Sequence, residues 1–439
     1  KKLLRSPIYM IEKFHTVVIG GGCLGVASAL SLARKLSLKE SNDICIVEKG
    51  VLAGGISSRH SGIIRSANAS IQAATFAEQS NEMWRNIRDF WNVNIVPEQP
   101  GAIWIAKNDE KESAKTWREL EKNLGKVNID FSQIKSKEIK SLTNNSIRIN
   151  EKDELYFYEP NAMLFDPIEV RNAMYEAIEI NNINLKENTK VIGFELNPSN
   201  KIKKIKTNHG TIEAENVINA AGGWSPQIFD SINVKIPVSL QPVYVSNWLV
   251  SKKKLSENFP IIADYINLSY FRTWRNGELH VHQPRDRSPS AIARSFAEEP
   301  TSMKGADVFF DSSNYTASYS ETNKYQEMIR DRFPHSGPYI FNGGYISFFD
   351  ITPDLKFILG DDKDISNLYH CLGAGQAFKY APIFGEILSD LILGRKTKIK
   401  NFNLEEFSIK RFYKPKMKNF WNIVHGSQNT LRVREQASV

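Results

Sequence analysis

The hydrophobic positions along this chain change period several times, and each change marks an element. The run Phe14-His15-Thr16-Val17-Val18-Ile19 reads as a buried strand, and Leu24 to Ala33 as a helix. Asp43-Ile44-Cys45-Ile46-Val47-Glu48 reads as the next strand, parallel to the first. The glycine-rich polar stretch Gly54 to Arg65 follows as a loop. Phe76, Met83, Ile87 and Phe90, spaced near multiples of 3.5, predict one long helix. Pro100-Gly101 then punctuates the chain before a strand at Ala102 to Ala106, and the Lys/Glu-rich stretch 108–125 predicts an exposed helix. Asp166-Pro167 has the form of an N-cap acid followed by proline in the first helical position, predicting a helix to about Ile180. Strands are predicted at Lys190 to Leu196, at Thr211 to Ala214, and at Val217 to Asn219, the last entering the turn Ala220-Ala221-Gly222-Gly223-Trp224. From about 236 to 350 the alternation recurs at Val243–Leu249, Tyr270–Arg272, Leu279–His282 and Tyr345–Phe349, which predicts an antiparallel sheet. Leu368 to Leu372 leads into Gly373-Ala374-Gly375-Gln376-Ala377-Phe378-Lys379 and a helix from Ala381 to Leu393.

Two of these junctions carry chemistry. Gly20-Gly21-Gly22-Cys23-Leu24-Gly25 sits between a strand and a helix, the context in which G-x-G-x-x-G binds a dinucleotide. The first glycine permits the tight turn, the second lets backbone approach a pyrophosphate, and the third lets helix and strand pack closely. Glu48 ends the second strand 23 residues past Gly25, near the spacing of an acid that accepts hydrogen bonds from ribose hydroxyls. The alternative is a structural glycine turn in an ordinary βαβ unit. The second junction, at Gly373, repeats the order of strand, glycine turn and helix near the end of the fold.

Composition narrows the picture modestly. With 439 residues, two intimately joined domains are expected, and 41% hydrophobic with 24% charged residues is ordinary for a folded protein. A net charge of +8, from 57 basic and 49 acidic residues, fits an anionic substrate or cofactor and permits a nucleic-acid partner. Cys23, Cys45 and Cys371 form no C-x-x-C, so neither a disulfide framework nor a zinc site is expected, and a reducing, cytoplasmic setting is. Thr16 to Ala33 is 18 residues without a charge, but three adjacent glycines interrupt it, so no membrane span is expected. The start of the chain lacks the form of a secretory signal. Met10, just before the first strand, is a candidate natural start, with residues 1–9 an extension.

Five segments, in order, make the chain resemble the D-amino-acid oxidase superfamily, with sarcosine oxidases and dimethylglycine dehydrogenases nearest in look. They are the glycine turn with Glu48; the Gly54–Arg65 loop; Asn219 to Trp224; Asp350-Ile351-Thr352-Pro353-Asp354 with Ile358-Leu359-Gly360; and Gly373-x-Gly-x-x-Phe378-Lys379. The resemblance implies a mixed α/β fold: a Rossmann-like FAD-binding domain (10–90, 155–235 and 345–400), an inserted antiparallel-sheet substrate domain (91–154 and 236–344) and a C-terminal strap from 401 to 439. It implies FAD, held by Gly20, Gly22, Cys23, Leu24, Gly25, Glu48, Lys49, Ser57, Ser58, Arg59, His60, Ser61, Val191, Ala221, Gly222, Gly373, Gly375, Gln376, Phe378 and Lys379. Non-covalent attachment is expected. Ser347 stands where monomeric sarcosine oxidases attach FAD to a cysteine, and His60 is one residue out of step with the histidine that dimethylglycine dehydrogenases use.

For substrate, the resemblance implies that Arg65, after Ile63-Ile64, and Lys379, after Phe378, hold a carboxylate. Residue type alone leaves Arg65 as a surface or phosphate-facing arginine and Lys379 as a loop cap. Tyr270, Arg272, His280 and His282 are the polar candidates on the substrate sheet. His280 and His282 share a face, with no third ligand spaced for a metal. His280 could instead tune amine protonation, or the face meets solvent. The implied reaction oxidises the C–N bond of a small carboxylate-bearing amine by hydride transfer to flavin N5, followed by iminium hydrolysis. A dehydrogenase with an electron-transfer partner is favoured over an oxidase. The alternatives are a 2-hydroxy acid dehydrogenase, a tRNA-modifying oxidoreductase and a flavin-carrying subunit of a larger complex. The basic, aromatic segment Arg395 to Lys418 is expected as a solvated strap rather than a nucleic-acid, membrane or partner dock.

Overall fold

The computed structural model describes residues 11–413, apart from 69–70, 110–112, 252–254, 256–257, 268, 274–277, 285–318 and 374. Two eight-stranded sheets divide the described chain. The first contains β1 (Glu12–Ile19), β2 (Ile44–Val47), β8 (Asn184–Lys186), β9 (Val191–Leu196), β10 (Ile202–Thr207), β11 (Gly210–Asn219), β17 (Ile358–Asp361) and β18 (Leu368–Leu372), in the order 17-18-11-1-2-8 with 10 and 9 branching from 11. Its centre is parallel: Val17 lies opposite Cys45 on one side and Val217 on the other. The second contains β4 (Ala102–Lys107), β5 (Ser132–Gln133), β6 (Glu154–Glu159), β12 (Ser239–Leu249), β13 (Ile261–Asp264), β14 (Ser269–Thr273), β15 (Glu278–Pro284) and β16 (Ile340–Ile351), in the order 16-12-15-14-13-4-6-5. It is antiparallel except where β13 runs parallel to β4. A ribbon of β3 (Ile63–Ile64) and β7 (Met163–Leu164) completes the strands.

The helices are α1 (Cys23–Ala33), α2 (Leu38–Ser41), α3 (Ile71–Arg85), α4 (Ile87–Trp91), α5 (Ser113–Gly125), α6 (Ser136–Leu142), α7 (Pro167–Ile180), α8 (Ser225–Phe229), α9 (Tyr319–Arg332) and α10 (Ala377–Ile392). Every residue of α1 is buried, because it lies between the first sheet and α10. The apolar residues of α1, α3, α7 and α10 form one core on that side of the sheet, and β9–β11 pack Phe229, Ile358 and Phe412 on the other. Two further cores lie on the second sheet, one around Trp248, Phe271 and Phe333, the other around Trp104, Phe131 and Phe157.

Several expectations shift. The long helix through Phe90 is two helices, because Asn86 leaves helical geometry (φ −102°, ψ 20°) and its side chain takes the Glu82 carbonyl. Thr211–Ala214 and Val217–Asn219 are one strand, β11, since Asn216 stays paired opposite Thr16 despite its polarity. The last helix starts at Ala377 rather than Ala381. Pro382 sits inside it. The division expected at 154/155 falls within β6 and that at 344/345 within β16; both strands pair within the second sheet, β6 along its whole length and β16 with a register shift opposite Ser246–Trp248. The α7 expectation matches the observed span, with Asp166 Oδ1 accepting from Ile168 N at 2.8 Å. Of the basic segment, residues 414–418 lie outside the described residues.

Candidate active site

One cavity of about 710 Å³ runs between the two sheets. At one end it is lined by the β1–α1 turn, Glu48, Lys49 and Val191; at the other by Arg65, Tyr265, Tyr270 and the start of α10.

The first end is made of backbone. Gly20 has φ +108°, and a Cβ there would stand 2.5 Å from the Ala220 carbonyl oxygen; a Cβ on Gly25 would stand 2.0 Å from that of Gly20. Only glycine fits either position. The α1 N-terminus has no side-chain cap from its own N-cap residue, Gly22, and no acid in its first turn; Ser57 reaches across from the loop to accept from Cys23 N at 2.9 Å. Such an end holds an anion, through its amide N–H groups and its positive dipole. Glu48 pins the turn, Oε2 accepting from Gly21 N at 2.8 Å and Oε1 from Gly50 N at 2.9 Å. A carboxylate has about four acceptor sites, so capacity for ribose hydroxyls remains. The Ala220–Gly222 turn is fixed from beneath. Asn219 Oδ1 accepts from Ala221 N and Ser225 Oγ, and its Nδ2 meets His370 Nδ1 at 3.1 Å. That bond leaves His370 Nε2 to donate to Asp362 at 3.0 Å.

The N-terminus of α10, which has no side-chain cap from its N-cap residue Gln376 and no acid in its first turn, lines the same cavity. Beside it Asp350 is buried, with Oδ1 accepting from Gly375 N at 3.3 Å. Burial pushes its carboxyl up to about 6, against the pull of the Gly375 and Gly373 amides.

The other end is made of charged side chains. Arg65 lies over the Trp104 ring, 4.7 Å from its centroid, and donates to the Ala67 carbonyl. Glu159, buried on β6, accepts from Ser66 N at 2.5 Å, Ala67 N at 3.1 Å and Trp104 Nε1 at 3.1 Å, so it ties the Arg65 loop to the second sheet. Burial raises the Glu159 carboxyl; the Ser66 amide and Arg65 pull it back. Burial also opposes the Arg65 charge, but Tyr270, Tyr265 and Glu159 hold its pKa above the ordinary value. Lys379 is 4% exposed. Its amine is held well below the ordinary lysine range, first by burial, then by the Arg65 guanidinium, with Glu159 opposing.

Of the residues singled out in the sequence, the cavity gathers Gly20, Gly22, Cys23, Leu24, Glu48, Lys49, Ser57, Arg59, His60, Ser61, Arg65, Val191, Ala221, Gly222, Tyr270, Gly375, Gln376, Phe378 and Lys379. Gly25 and Gly373 shape turns behind the wall, and the Ser58 hydroxyl turns to the Gly55 carbonyl. His280 pairs opposite Arg272 on β15, and its side chain lies outside the described residues. Arg272 is buried on β14, and burial lowers its guanidinium to about 10. Sequence reasoning passed over Glu159, Asp350, Trp104 and Tyr265. Asp350 stood inside a quoted motif without a role; nothing local marks the other three.

A parallel sheet whose first turn cradles a pyrophosphate, and whose last strand aims a second helix N-terminus into the same cavity, defines a dinucleotide-binding protein. The chain belongs to the DAO family of FAD-dependent oxidoreductases, whose sequence model matches residues 15–391, and its cofactor is FAD. It is 23% identical over 396 residues to the mitochondrial dimethylglycine dehydrogenase of Rattus norvegicus, covering 88% of this chain and 44% of that protein. It is 27% identical over 241 residues to sarcosine oxidase subunit beta of an Arthrobacter species, covering 53% and 56%. The chain thus spans about half the length of these curated relatives. Among solved structures it shares the fold of L-proline dehydrogenase from P. horikoshii, with TM-score 0.76, 21% identity, and coverage of 92% of this chain and 99% of that one. Among the described residues no helix is long and apolar enough to cross a membrane, and no group of His, Cys, Asp and Glu is arranged to hold a metal ion.

Proposed function

We propose that this chain carries the FAD of an oxidoreductase acting on the C–N bond of a small amine that bears a carboxylate, a secondary or N-methylated amino acid being the preferred class. The observation that carries this reading is Arg65 and Lys379 lining one end of the cavity whose other end is the nucleotide cradle. A planar guanidinium offers a carboxylate two parallel N–H bonds, and a lysine adds a compact donor. Trp104 and Glu159 hold Arg65 in place, which limits the entropy lost when the carboxylate docks.

FAD, when bound, supplies the acceptor for two electrons. The side chains do the positioning. Arg65 and Lys379 fix the carboxylate, so the α-carbon is presented at one place. Tyr265 and Tyr270, their hydroxyls 3.2 Å apart, wall the substrate end and exclude water. The α10 N-terminus favours negative charge in the cavity. The oxidised amine leaves as an iminium that water converts to an aldehyde or keto acid.

Non-covalent FAD is part of this reading. His60 stacks on Phe378 with ring centroids 3.9 Å apart and accepts from Gly62 N at 2.9 Å, the contacts of a packed histidine. We favour a dehydrogenase with an electron carrier, and the compared proteins named dehydrogenases support it. A second reading, a flavin-carrying subunit of a larger assembly, is favoured by the relative named as a subunit.

The test is anaerobic bleaching of the flavin by a panel of N-methyl amino acids, cyclic imino acids, D-amino acids and 2-hydroxy acids. Bleaching by a secondary amino acid is expected. Bleaching by hydroxy acids alone would replace the amine reading, and retention of FAD without bleaching by any compound would favour the subunit.

A further inference from the structure

Lys379 stands in an unusual place for a cation. It is the third residue of α10, at the positive end of the helix dipole, and it is almost fully buried. Its Nζ has one weak partner, Asn68 Oδ1 at 3.4 Å, and lies over the Tyr380 ring, 4.7 Å from its centroid. Among the described residues no carboxylate pairs with it. The nearby acid, Glu159, has its oxygens committed to Ser66, Ala67 and Trp104. The charged and titratable groups that act on Lys379 are Arg65 from the loop after β3 and Glu159 from β6, and Tyr380 on its own helix lies beside it. Arg65 opposes a charge there more than Glu159 favours it, so an ammonium at Lys379 would be a buried charge with no paired counter-ion among the described residues, which a protein interior does not favour.

A carboxylate-bearing substrate changes that count. We propose that Lys379 meets the substrate as a neutral amine and, as the carboxylate docks, takes the proton from the substrate's own ammonium. The substrate N–H bond breaks, leaving its electron pair on the substrate nitrogen. The Lys379 lone pair forms the new N–H bond. No electrons leave either partner, and no co-reactant is needed. The substrate becomes a neutral amine with a free lone pair, the form that can lose its α-hydrogen. Lys379 becomes an ammonium facing the carboxylate that stabilises it. Lys379 is then both anchor and proton acceptor, and Arg65, which stays charged, is anchor alone. The depressed amine described above agrees with this count.

The inference rests on the carboxylate-amine reading, and one experiment separates the two. Binding of two unreactive probes to the FAD-loaded protein is measured by calorimetry near pH 8 in buffers of different ionisation enthalpy, which counts protons exchanged. Acetate has a carboxylate and no ammonium. 2-Aminoisobutyrate has both but no α-hydrogen. Acetate should bind with uptake of about one proton, and its affinity should fall about tenfold per pH unit as pH rises. 2-Aminoisobutyrate should bind with none. Lys379→Met should abolish the uptake. Lys379→Arg, which keeps the anchor with a fixed charge, should bind acetate without uptake. Acetate binding to the unaltered protein without proton uptake overturns the inference, as does proton release to buffer on binding 2-aminoisobutyrate. No binding of either probe overturns the carboxylate reading itself, and the inference with it.

Discussion

The two ends of the cavity are built by opposite means. The nucleotide end uses backbone: glycines with no side chain to obstruct, uncapped amides and a helix dipole. The proposed substrate end uses side chains: half-buried Arg65 from a loop and buried Lys379 from a helix, with buried Glu159 of the second sheet bracing the Arg65 loop. Backbone recognition is written into neighbouring residues, because the amides that bind are consecutive. Side-chain recognition is assembled from positions more than three hundred residues apart, and its strength depends on how far the protein excludes water.

That contrast can be broken at either end. The largest effect is expected at the cradle. Gly25→Val would drive a side chain into the Gly20 carbonyl, and overpacking of this kind costs at least about 1–3 kcal/mol. The purified protein should lack the flavin absorbance and melt early; a yellow, stable variant would show the cradle to be dispensable. Next, Arg65→Ala should weaken binding of a carboxylate substrate by roughly 2–5 kcal/mol while FAD stays bound. The readout is the concentration dependence of anaerobic bleaching, and loss of FAD with unchanged substrate affinity would reverse the assignment of the two ends.

Asp350 sharpens the comparison between them, since it is an acid at the boundary of both. Its folded-state pKa, about 6, lies above the usual carboxylate value because of burial. The folded chain therefore binds this proton more tightly than the unfolded chain. The cost to stability is absent below about pH 4 and fully present above about pH 6. Asp350→Asn keeps an acceptor for Gly375 N and should stabilise the FAD-free protein by roughly 2–3 kcal/mol at pH 8, with little effect at pH 4. Urea unfolding at the two pH values reads this, and equal effects at both would show that the carboxyl is not buried as described. The smallest effect is expected at His60→Ala, which should leave FAD absorbance almost unchanged. After acid precipitation the unaltered protein should release all its flavin; flavin retained in its pellet and lost from that of the variant would establish a covalent link.

What the sequence could show followed the same line. The cradle was legible because its glycines, its helix and Glu48 recur at fixed spacing, and the α7 start was legible because Asp166-Pro167 is a local signal. The helix expected from Ala381 begins at Ala377 as α10, which packs against α1 and runs through Pro382. The domain edges expected at 154/155 and 344/345 fall inside β6 and β16, because cross-strand pairing leaves no mark inside the strand that is paired.

By itself, then, the sequence determined the order of strand, glycine turn and helix after β1 and after β18 of the first sheet, and through that order a dinucleotide site; the resemblance carried by five motifs supplied FAD. Those features depend on contacts within about thirty residues, where spacing and hydrophobic period are set by the chain. Only the tertiary structure decided that Glu159 braces the Arg65 loop, that Trp104 lies beneath the guanidinium, and that Lys379 is buried without a counter-ion among the described residues. Burial and the net charge of neighbours fix the protonation of such groups, and both are properties of the folded assembly rather than of any local stretch.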